Sequence, residues 1–126
     1  MHKIMLVDDD INILKSLGRL LHQNKEWHIE MFTSPVEAIQ RANQCIFDIV
    51  ISDYSMPETD GVTFLSILKE IQPDTKRIVL TGHSDNNIIM DSINSANAIK
   101  FITKPWDDKK LIEAITECLS SFKKVN

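Results

Sequence analysis

Short apolar runs that end in polar or charged groups recur along this chain. Four of them, at 4–7, 49–52, 78–80 and 101–103, have the length of strands rather than helices. The first three predict strands that are buried on both faces of a parallel sheet. A fifth segment, 27–32, alternates apolar and polar residues, which predicts a half-exposed edge strand.

Between the strands, apolar residues return at helical spacing and predict five helices. The apolar positions include Ile11, Leu14, Leu17 and Leu21 in the first helix, Val62, Leu65 and Leu68 in the third, Ile88, Ile89 and Ile93 in the fourth, and Leu111, Ile115 and Leu119 in the fifth. Strands and helices therefore alternate along the chain, which predicts an α/β fold with a doubly wound parallel sheet.

Polar residues mark where these helices begin. Residues 34–37, Ser-Pro-Val-Glu, form a capping box with proline at the first helical position and predict the start of the second helix. Asp60-Gly61 precedes the third helix and Ser84 is suited to cap the fourth. Asp107 or Asp108 starts the fifth.

Composition indicates one globular domain and argues against several functions. Of 126 residues, 43% are hydrophobic and 25% charged, close to the average of folded domains. The net charge of −4 argues against direct nucleic-acid binding, which needs clustered Lys and Arg. No apolar run approaches the roughly 20 residues of a membrane span, and no signal-peptide pattern precedes the first strand. We therefore expect a cytoplasmic protein without membrane association.

Cys45 and Cys118 lack metal-ligand spacing and are expected to be buried free thiols.

The polar groups that end the apolar runs carry the candidate chemistry. Three aspartates at 8–10, then Asp53, Thr81 and Lys104, each follow or end such a run. The carboxyl ends of parallel strands form the edge where open α/β sheets bind ligands, so these groups are expected to converge. Clustered carboxylates suit Mg²⁺, a hard cation that often shares its ligands with a phosphate. Their crowding should also raise at least one carboxyl pKa. The sequence predicts a phosphoryl site.

Four segments in this order resemble the response-regulator receiver domain, the phosphoaccepting part of two-component signalling systems. The segments are LVDDD at 6–10, DYSMPETDG at 53–61, LTG at 80–82 and FITKPW at 101–106. The resemblance covers almost the whole chain and implies a flavodoxin-like, five-stranded sheet in the order 2-1-3-4-5, flanked by five helices. It also implies a single receiver domain over 1–126, with a core at about 2–121, and a cis Lys104-Pro105 bond.

The resemblance implies that Asp53 is the phosphoacceptor. A carboxylate is a nucleophile that can form an acyl phosphate. The phosphoryl group would come from a phosphohistidine on a histidine kinase or phosphotransfer protein. Asp8, Asp9, Asp53 and the backbone carbonyl of Ser55 would hold Mg²⁺, with Asp8 acting mostly through water. The alternative is that Asp53 is a turn or cap residue and that the aspartates at 8–10 only cap the first helix, which is the role we expect for Asp10.

The resemblance also implies a switch. The Thr81 hydroxyl would bond the aspartyl phosphate, and Lys104 would pair first with Asp53 and then with a phosphate oxygen. Phe101 would turn inward and reshape the surface of the fourth helix, fifth strand and fifth helix. The alternatives are a solvated surface lysine at 104 and a permanently buried ring at 101. Gly82 would keep the site open to the phosphodonor.

Two side chains flanking the site are expected to tune the lifetime of the phosphate. These are Ser55 and His83, and a histidine at 83 could order or exclude the attacking water. A solvated loop histidine is the alternative.

Three positions depart from the family pattern. Asn97 and Lys100 stand where the family often has glycine, which affects the loop entering the fifth strand. Trp106 has two interpretations: an exposed aromatic that docks a partner, or a lid over the first turn of the fifth helix.

We therefore expect a signalling domain that is not an enzyme beyond assisting its own phosphorylation and dephosphorylation. It would control an output domain or a protein partner, and a homodimer through the fourth and fifth helices is compatible with the pattern. One rival is a Mg²⁺-dependent phosphohydrolase with an aspartyl nucleophile, although such enzymes usually carry an acid two residues later, where this chain has Ser55. A phosphorylation-independent interaction module is the other rival, but such receivers usually lose part of the constellation.

Overall fold

Five parallel strands form the centre of the molecule. The computed structural model describes residues 2–82 and 99–120. The strands are β1 (His2–Val7), β2 (Trp27–Phe32), β3 (Ile49–Asp53), β4 (Lys76–Thr81) and β5 (Ile99–Thr103). They pair in the order β2-β1-β3-β4-β5, so the predicted sheet and its strand order are confirmed.

Four helices cover the sheet in the described part of the chain. They are α1 (Ile11–Leu21), α2 (Pro35–Ala42), α3 (Gly61–Ile71) and α4 (Asp108–Ser120). The last of these, α4, is the predicted fifth helix. The predicted fourth helix lies outside the described residues, as do Ser84, His83 and Asn97.

The predicted starts of the four described helices are confirmed, but one predicted cap is not. Asp10 accepts a hydrogen bond from the Asn12 amide at the start of α1, as expected. At α2, Pro35 begins the helix, yet the Ser34 side chain makes no capping bond. The Ser34 backbone carbonyl, however, accepts the first hydrogen bond of the helix, from the Ala38 amide at 3.1 Å.

The hydrophobic core is divided by the sheet into two layers. Along β1, Ile4 and Leu6 face the layer under α1 and α4, whereas Met5 and Val7 face the layer under α2 and α3. All four are at most 1% exposed, which confirms that this strand is buried on both faces. The helices therefore lie on both sides of the sheet, as a doubly wound fold requires.

The edge strand β2 and the two cysteines differ in detail from expectation. Trp27 is buried, but Met31 is 44% exposed even though its sulfur lies close to Gly18 of α1. Cys45 and Cys118 are free thiols as predicted, but they are half-buried, so the prediction that they are buried was wrong. Cys45 lies in the loop after α2 rather than in a helix, and its sulfur accepts a hydrogen bond from Lys3 Nζ at 2.8 Å. No helix in the described ranges is both long enough and apolar enough to span a bilayer.

A buried glutamine locks the end of the sheet opposite to the carboxyl ends of the strands. Gln72 follows α3 and is 9% exposed. Its Nε2 donates to the carbonyls of Ala42 at 2.7 Å and Cys45 at 2.6 Å. Its Oε1 accepts from the Phe47 amide and the Thr75 hydroxyl, both at 2.9 Å. One side chain thus joins the loop after α2 to the loop after α3.

We predict that Gln72→Leu lowers the free energy of unfolding by about 2–4 kcal/mol, because buried polar groups would lose their partner. Urea denaturation followed by circular dichroism measures this. The matched control is Gln40→Leu, at an exposed position on α2, which should change stability by less than about 0.5 kcal/mol. Equal effects of the two substitutions would contradict the role assigned to Gln72.

Candidate functional site: an acidic cluster with a buried lysine contact

The sheet register brings the predicted acidic residues together. Val7 pairs with Ser52, so Asp8 and Asp53 follow at neighbouring positions of adjacent strands. Asp8 is 1% exposed and Asp53 7%, whereas Asp9 is exposed. The carboxylates of Asp8, Asp9 and Asp53 each offer an oxygen, and these oxygens lie within 4.8 Å of one another. The predicted convergence of charge at this edge is therefore present.

Lys104 supplies the opposite charge. Its Nζ lies 2.5 Å from Asp53 Oδ1 and 3.7 Å from Asp8 Oδ2. Its backbone amide donates to the Thr81 carbonyl at 2.6 Å, which holds the residue at the end of β5 against β4. The Lys104-Pro105 bond is cis, as expected. Lys104 is thus not a solvated surface lysine.

Burial perturbs the two enclosed carboxyls. It raises the pKa of Asp8 to about 6, while the hydrogen bond from the Asp10 amide opposes the rise and the neighbouring Asp53 charge adds to it. The pKa of Asp53 is also raised by burial, against the lowering effect of Lys104. The direction agrees with the prediction, but desolvation is the first cause and crowding of like charges the lesser one.

The acidic cluster has the donor set of a hard divalent cation. Asp8 Oδ1 accepts from the Asp10 amide at 2.8 Å. Asp8 Oδ2, by contrast, is buried without a hydrogen-bond partner in the structure. A buried, unsatisfied carboxylate oxygen is costly unless a cation or water reaches it. With three carboxylates so close, the residues present fit Mg²⁺.

Thr81 and Phe101 contact groups other than the Asp53 carboxylate in this structure. The Thr81 hydroxyl donates to the Ile102 carbonyl at 3.5 Å, toward β5. Phe101 is half-buried and packs against the core layer under α2 and α3, so it is not an enclosed core ring. Gly82 follows Thr81 and is half-buried, and Ser55 is exposed in the loop after β3.

Trp106 is a lid rather than an exposed aromatic. It is half-buried, packs against the core layer under α1 and α4, and its Nε1 donates to Asp108 Oδ1 at 3.1 Å. Asp107 caps the same helix by accepting from the Lys110 amide at 3.1 Å. Of the two interpretations, the structure supports packing over the first turn of the last helix.

Gly61 at the start of α3 has a role that the sequence did not reveal. A Cβ placed there would overlap the backbone carbonyl oxygen of Asp53. The Gly61 amide also donates to the Tyr54 carbonyl at 2.6 Å. The glycine therefore lets the helix begin directly against the chain that carries Asp53. The pair Asp60-Gly61 signalled only a helix start, since a close approach between backbones leaves no trace in a hydrophobic pattern.

The fold and the site together define a class: a flavodoxin-like, doubly wound sheet with three carboxylates and a lysine at the carboxyl ends of its strands. The family model of the response regulator receiver domain matches residues 4–116. The chain belongs to this family of two-component receiver domains, and the expected resemblance is confirmed.

Individual relatives agree with this assignment. The transcriptional regulatory protein FlgR of Helicobacter pylori is 35% identical over 113 residues, which cover 90% of this chain and 28% of FlgR. The chemotaxis protein CheY of Bacillus subtilis is 28% identical over 94% of this chain and 98% of CheY. The crystal structure of the signal receiver domain of an HD domain-containing protein from Pseudomonas fluorescens Pf-5 superposes with a TM-score of 0.88, at 32% identity, over 95% of this chain and 88% of that one. The chain thus spans about a quarter of the length of regulators such as FlgR.

In metal-free protein, we predict that Asp8→Asn raises the free energy of unfolding at pH 7.5 by about 1–3 kcal/mol. The folded-state pKa of Asp8, about 6, lies above the ordinary value of 3.8, so ionisation destabilises the folded state as pH rises through this interval. The substitution removes that penalty. Its benefit should therefore nearly disappear at pH 4.

Urea unfolding in a chelator at the two pH values measures this difference. The control is Asp74→Asn, at an exposed position. A benefit of Asp8→Asn that is the same at both pH values would show that the charge is not its cause.

Proposed function

We propose that this chain is a phosphoacceptor domain in which Asp53 receives a phosphoryl group from the phosphohistidine of a histidine kinase or phosphotransfer protein. The observation that carries the proposal is the contact of Lys104 with a nearly buried Asp53 carboxylate beside two further aspartates. In this reading residues 1–126 act as one receiver domain with a core at about 2–121. The protein would work in the cytoplasm.

Accessibility favours Asp53 over Asp8 as the nucleophile. The side chain of Asp8 is 2% exposed and one of its oxygens is already bonded to the Asp10 amide. The side chain of Asp53 is 10% exposed, so a phosphodonor can approach it from the open edge of the sheet. In the transfer, an Asp53 oxygen attacks phosphorus and the P–N bond to histidine breaks. The imidazole nitrogen keeps the bonding electron pair and later takes a proton from water.

Asp8, Asp9 and Asp53 are the carboxylates that would hold Mg²⁺, with the backbone carbonyl of Ser55 as a further ligand. The bound ion would neutralise phosphoryl oxygens and orient the transfer. Mg²⁺ would also satisfy Asp8 Oδ2, which otherwise has no hydrogen-bond partner. These carboxylates would therefore be in place before the phosphodonor binds.

Phosphorylation would redirect two contacts and so act as a switch. Adding about −1.5 to −2 charges gives Lys104 a stronger partner than the carboxylate alone. The hydrogen bond of Thr81 to Ile102, at 3.5 Å, is at the long limit for such bonds and costs little to break. Thr81 would then donate to the phosphate, and Phe101 would fill the space it leaves. The populations of two surfaces would shift through these differential contacts.

This surface includes β5, α4 and the segment predicted as the fourth helix, and it would control an output domain or a protein partner. FlgR is a transcriptional regulatory protein of which this chain matches only part, so regulation of an attached or separate output is the natural role. A homodimer through this surface belongs to the same proposal. We propose neither direct nucleic-acid binding nor membrane binding for this domain. We also propose no turnover of external substrates, since Ser55 stands where a phosphohydrolase would need an acid.

We predict that the wild-type protein gains one labile phosphate when incubated with acetyl phosphate and Mg²⁺, and that Asp53→Asn gains none. Intact-protein mass spectrometry measures the adduct. The matched control is Glu58→Gln, an exposed acid in the same loop, which should behave as wild type. A stable adduct on Asp53→Asn would exclude Asp53 as the acceptor. Rapid release of p-nitrophenol from p-nitrophenyl phosphate would instead favour a phosphohydrolase.

We predict that Lys104→Ala keeps the fold and still accepts phosphate but loses most of the conformational response. The reason is that Lys104 would no longer distinguish the carboxylate from its phosphate. The measurement is the set of amide chemical shifts of β5 and α4 before and after phosphorylation. Lys100→Ala is the control, because Lys100 lies on the same strand and pairs with Glu117 at the surface. Full wild-type shifts in phosphorylated Lys104→Ala would show that the assignment is wrong.

A further inference from the structure

A buried hydroxyl lies directly beside the acceptor aspartate and is not used in the chemistry above. Ser52 precedes Asp53 in β3, is 0% exposed and is the one hydroxyl residue in that strand. A buried hydroxyl requires a hydrogen-bond partner. Its Oγ donates to the Asp53 carbonyl at 2.9 Å, and the Met56 sulfur is much farther, at 4.0 Å. The hydroxyl is therefore committed to the backbone of the acceptor residue.

The hydrogen bond from Ser52 holds the oxygen of one peptide group, and a hydrogen bond to β4 holds the nitrogen of the same group. The Asp53 carbonyl belongs to the peptide that links Asp53 to Tyr54. The amide of the same peptide, that of Tyr54, donates to the Leu80 carbonyl at 2.9 Å. A peptide group is planar, so holding its oxygen and its nitrogen sets the orientation of the whole unit. Ser52 supplies the first of these two restraints.

The orientation of this peptide affects the relative positions of the Asp53 carboxylate and the Ser55 carbonyl. The preceding residues of β3 are held in the ladders with β1 and β4, so the Asp53 Cα is constrained from both sides. The direction of the Asp53 side chain follows from that constraint. The next carbonyl, that of Tyr54, is held by the Gly61 amide at 2.6 Å, and the Ser55 carbonyl comes directly after it. The spacing between the Asp53 carboxylate and the Ser55 carbonyl thus depends on two consecutive peptide groups, whose carbonyls both accept hydrogen bonds.

Gly61 shows how little freedom the Asp53 carbonyl has. A side chain at this position would overlap that oxygen, so the start of α3 packs directly against the Asp53 carbonyl. The oxygen is confined by contact and oriented by a hydrogen bond. Without the hydroxyl, the contact with Gly61 and the Tyr54–Leu80 hydrogen bond would remain, but one of the two restraints on the peptide orientation would be lost.

We infer that Ser52 is a positioning residue for phosphoryl transfer, acting through the Asp53 carbonyl to align the Asp53 carboxylate with the Ser55 carbonyl. The inference rests on the proposed function, because it names what orients the same site. Groups that orient metal ligands from behind typically change metal affinity or activity by about 10–100-fold when they are removed. Ser52→Ala should lie at the lower end of that range, since β3 and β4 still hold the strand.

The test compares Ser52→Ala and Ser52→Thr with wild type. We expect Ser52→Ala to weaken Mg²⁺ binding about tenfold by calorimetry, and to slow phosphorylation by acetyl phosphate at saturating Mg²⁺ by a similar factor. Ser52→Thr keeps the hydroxyl and should restore both values to within about threefold of wild type. In metal-free protein, hydrogen exchange of the Tyr54 amide should be faster in Ser52→Ala and near normal in Ser52→Thr.

The matched control is another buried hydroxyl at the opposite end of the sheet. Thr75 is 6% exposed, and its hydroxyl hydrogen is shared between the Phe47 carbonyl at 2.8 Å and Gln72 Oε1 at 2.9 Å. Thr75→Val should lower stability without changing Mg²⁺ affinity or the phosphorylation rate. A merely structural role of Ser52 would give the same result as this control.

The outcomes separate the inference from the function on which it rests. If wild type is phosphorylated and Ser52→Ala retains wild-type Mg²⁺ affinity and rate, the positioning role is overturned alone. Equal losses in Ser52→Ala and Ser52→Thr also overturn it, because the hydroxyl would not be the cause. If wild type takes up no phosphate with Mg²⁺ and acetyl phosphate, the proposed function fails and this inference fails with it.

Discussion

The burial of neighbouring carboxylates is the constraint on which the rest of this structure depends. Asp8 and Asp53 are nearly enclosed at the ends of adjacent strands, where an ionised carboxylate is unfavourable. Lys104 and the Asp10 amide compensate part of that charge, but Asp8 Oδ2 accepts no hydrogen bond and lies 3.7 Å from the Lys104 ammonium. The site therefore holds buried negative charge that is only partly compensated, and a divalent cation would neutralise it. Binding of such a cation by Asp8, Asp9 and Asp53 would therefore also stabilise the folded state.

The polar groups at the two ends of the strands differ in how completely they are hydrogen-bonded. At the carboxyl ends of the strands, polar groups are concentrated and one is left unsatisfied. At the other edge, Gln72 and Thr75 form a fully bonded network that joins loops distant in sequence. A domain of this size has little stability in reserve, so the cost of desolvated carboxylates at one end must be offset by favourable interactions elsewhere. The hydrogen bonds of Gln72 supply such a region.

Much of the fold and the site could be predicted from sequence because both depend on local order. Apolar runs followed by Asp53 or Lys104 identify strands and place polar groups at one edge, and the family motifs specify strand order. The contributions of Ser52, Gly61 and Gln72 could not be predicted in this way. Gln72 bonds an amide 25 residues away, and Gly61 acts by lacking an atom. The cause of the raised Asp8 pKa was likewise misjudged, since burial is a property of the packed structure.

Lys104 makes two contacts, one through its side chain and one through its backbone, and together they restrict how β4 and β5 can move relative to each other. Its ammonium contacts Asp53 while its backbone amide bonds the Thr81 carbonyl. The ends of β4 and β5 are thereby joined, so under the proposed function a signal between them would pass by rotation of side chains and not by separation of the strands. Rotamer changes of that kind are fast compared with most chemistry on a phosphate. The domain would behave as a timer, in which the persistence of the output is governed by the survival of one covalent bond.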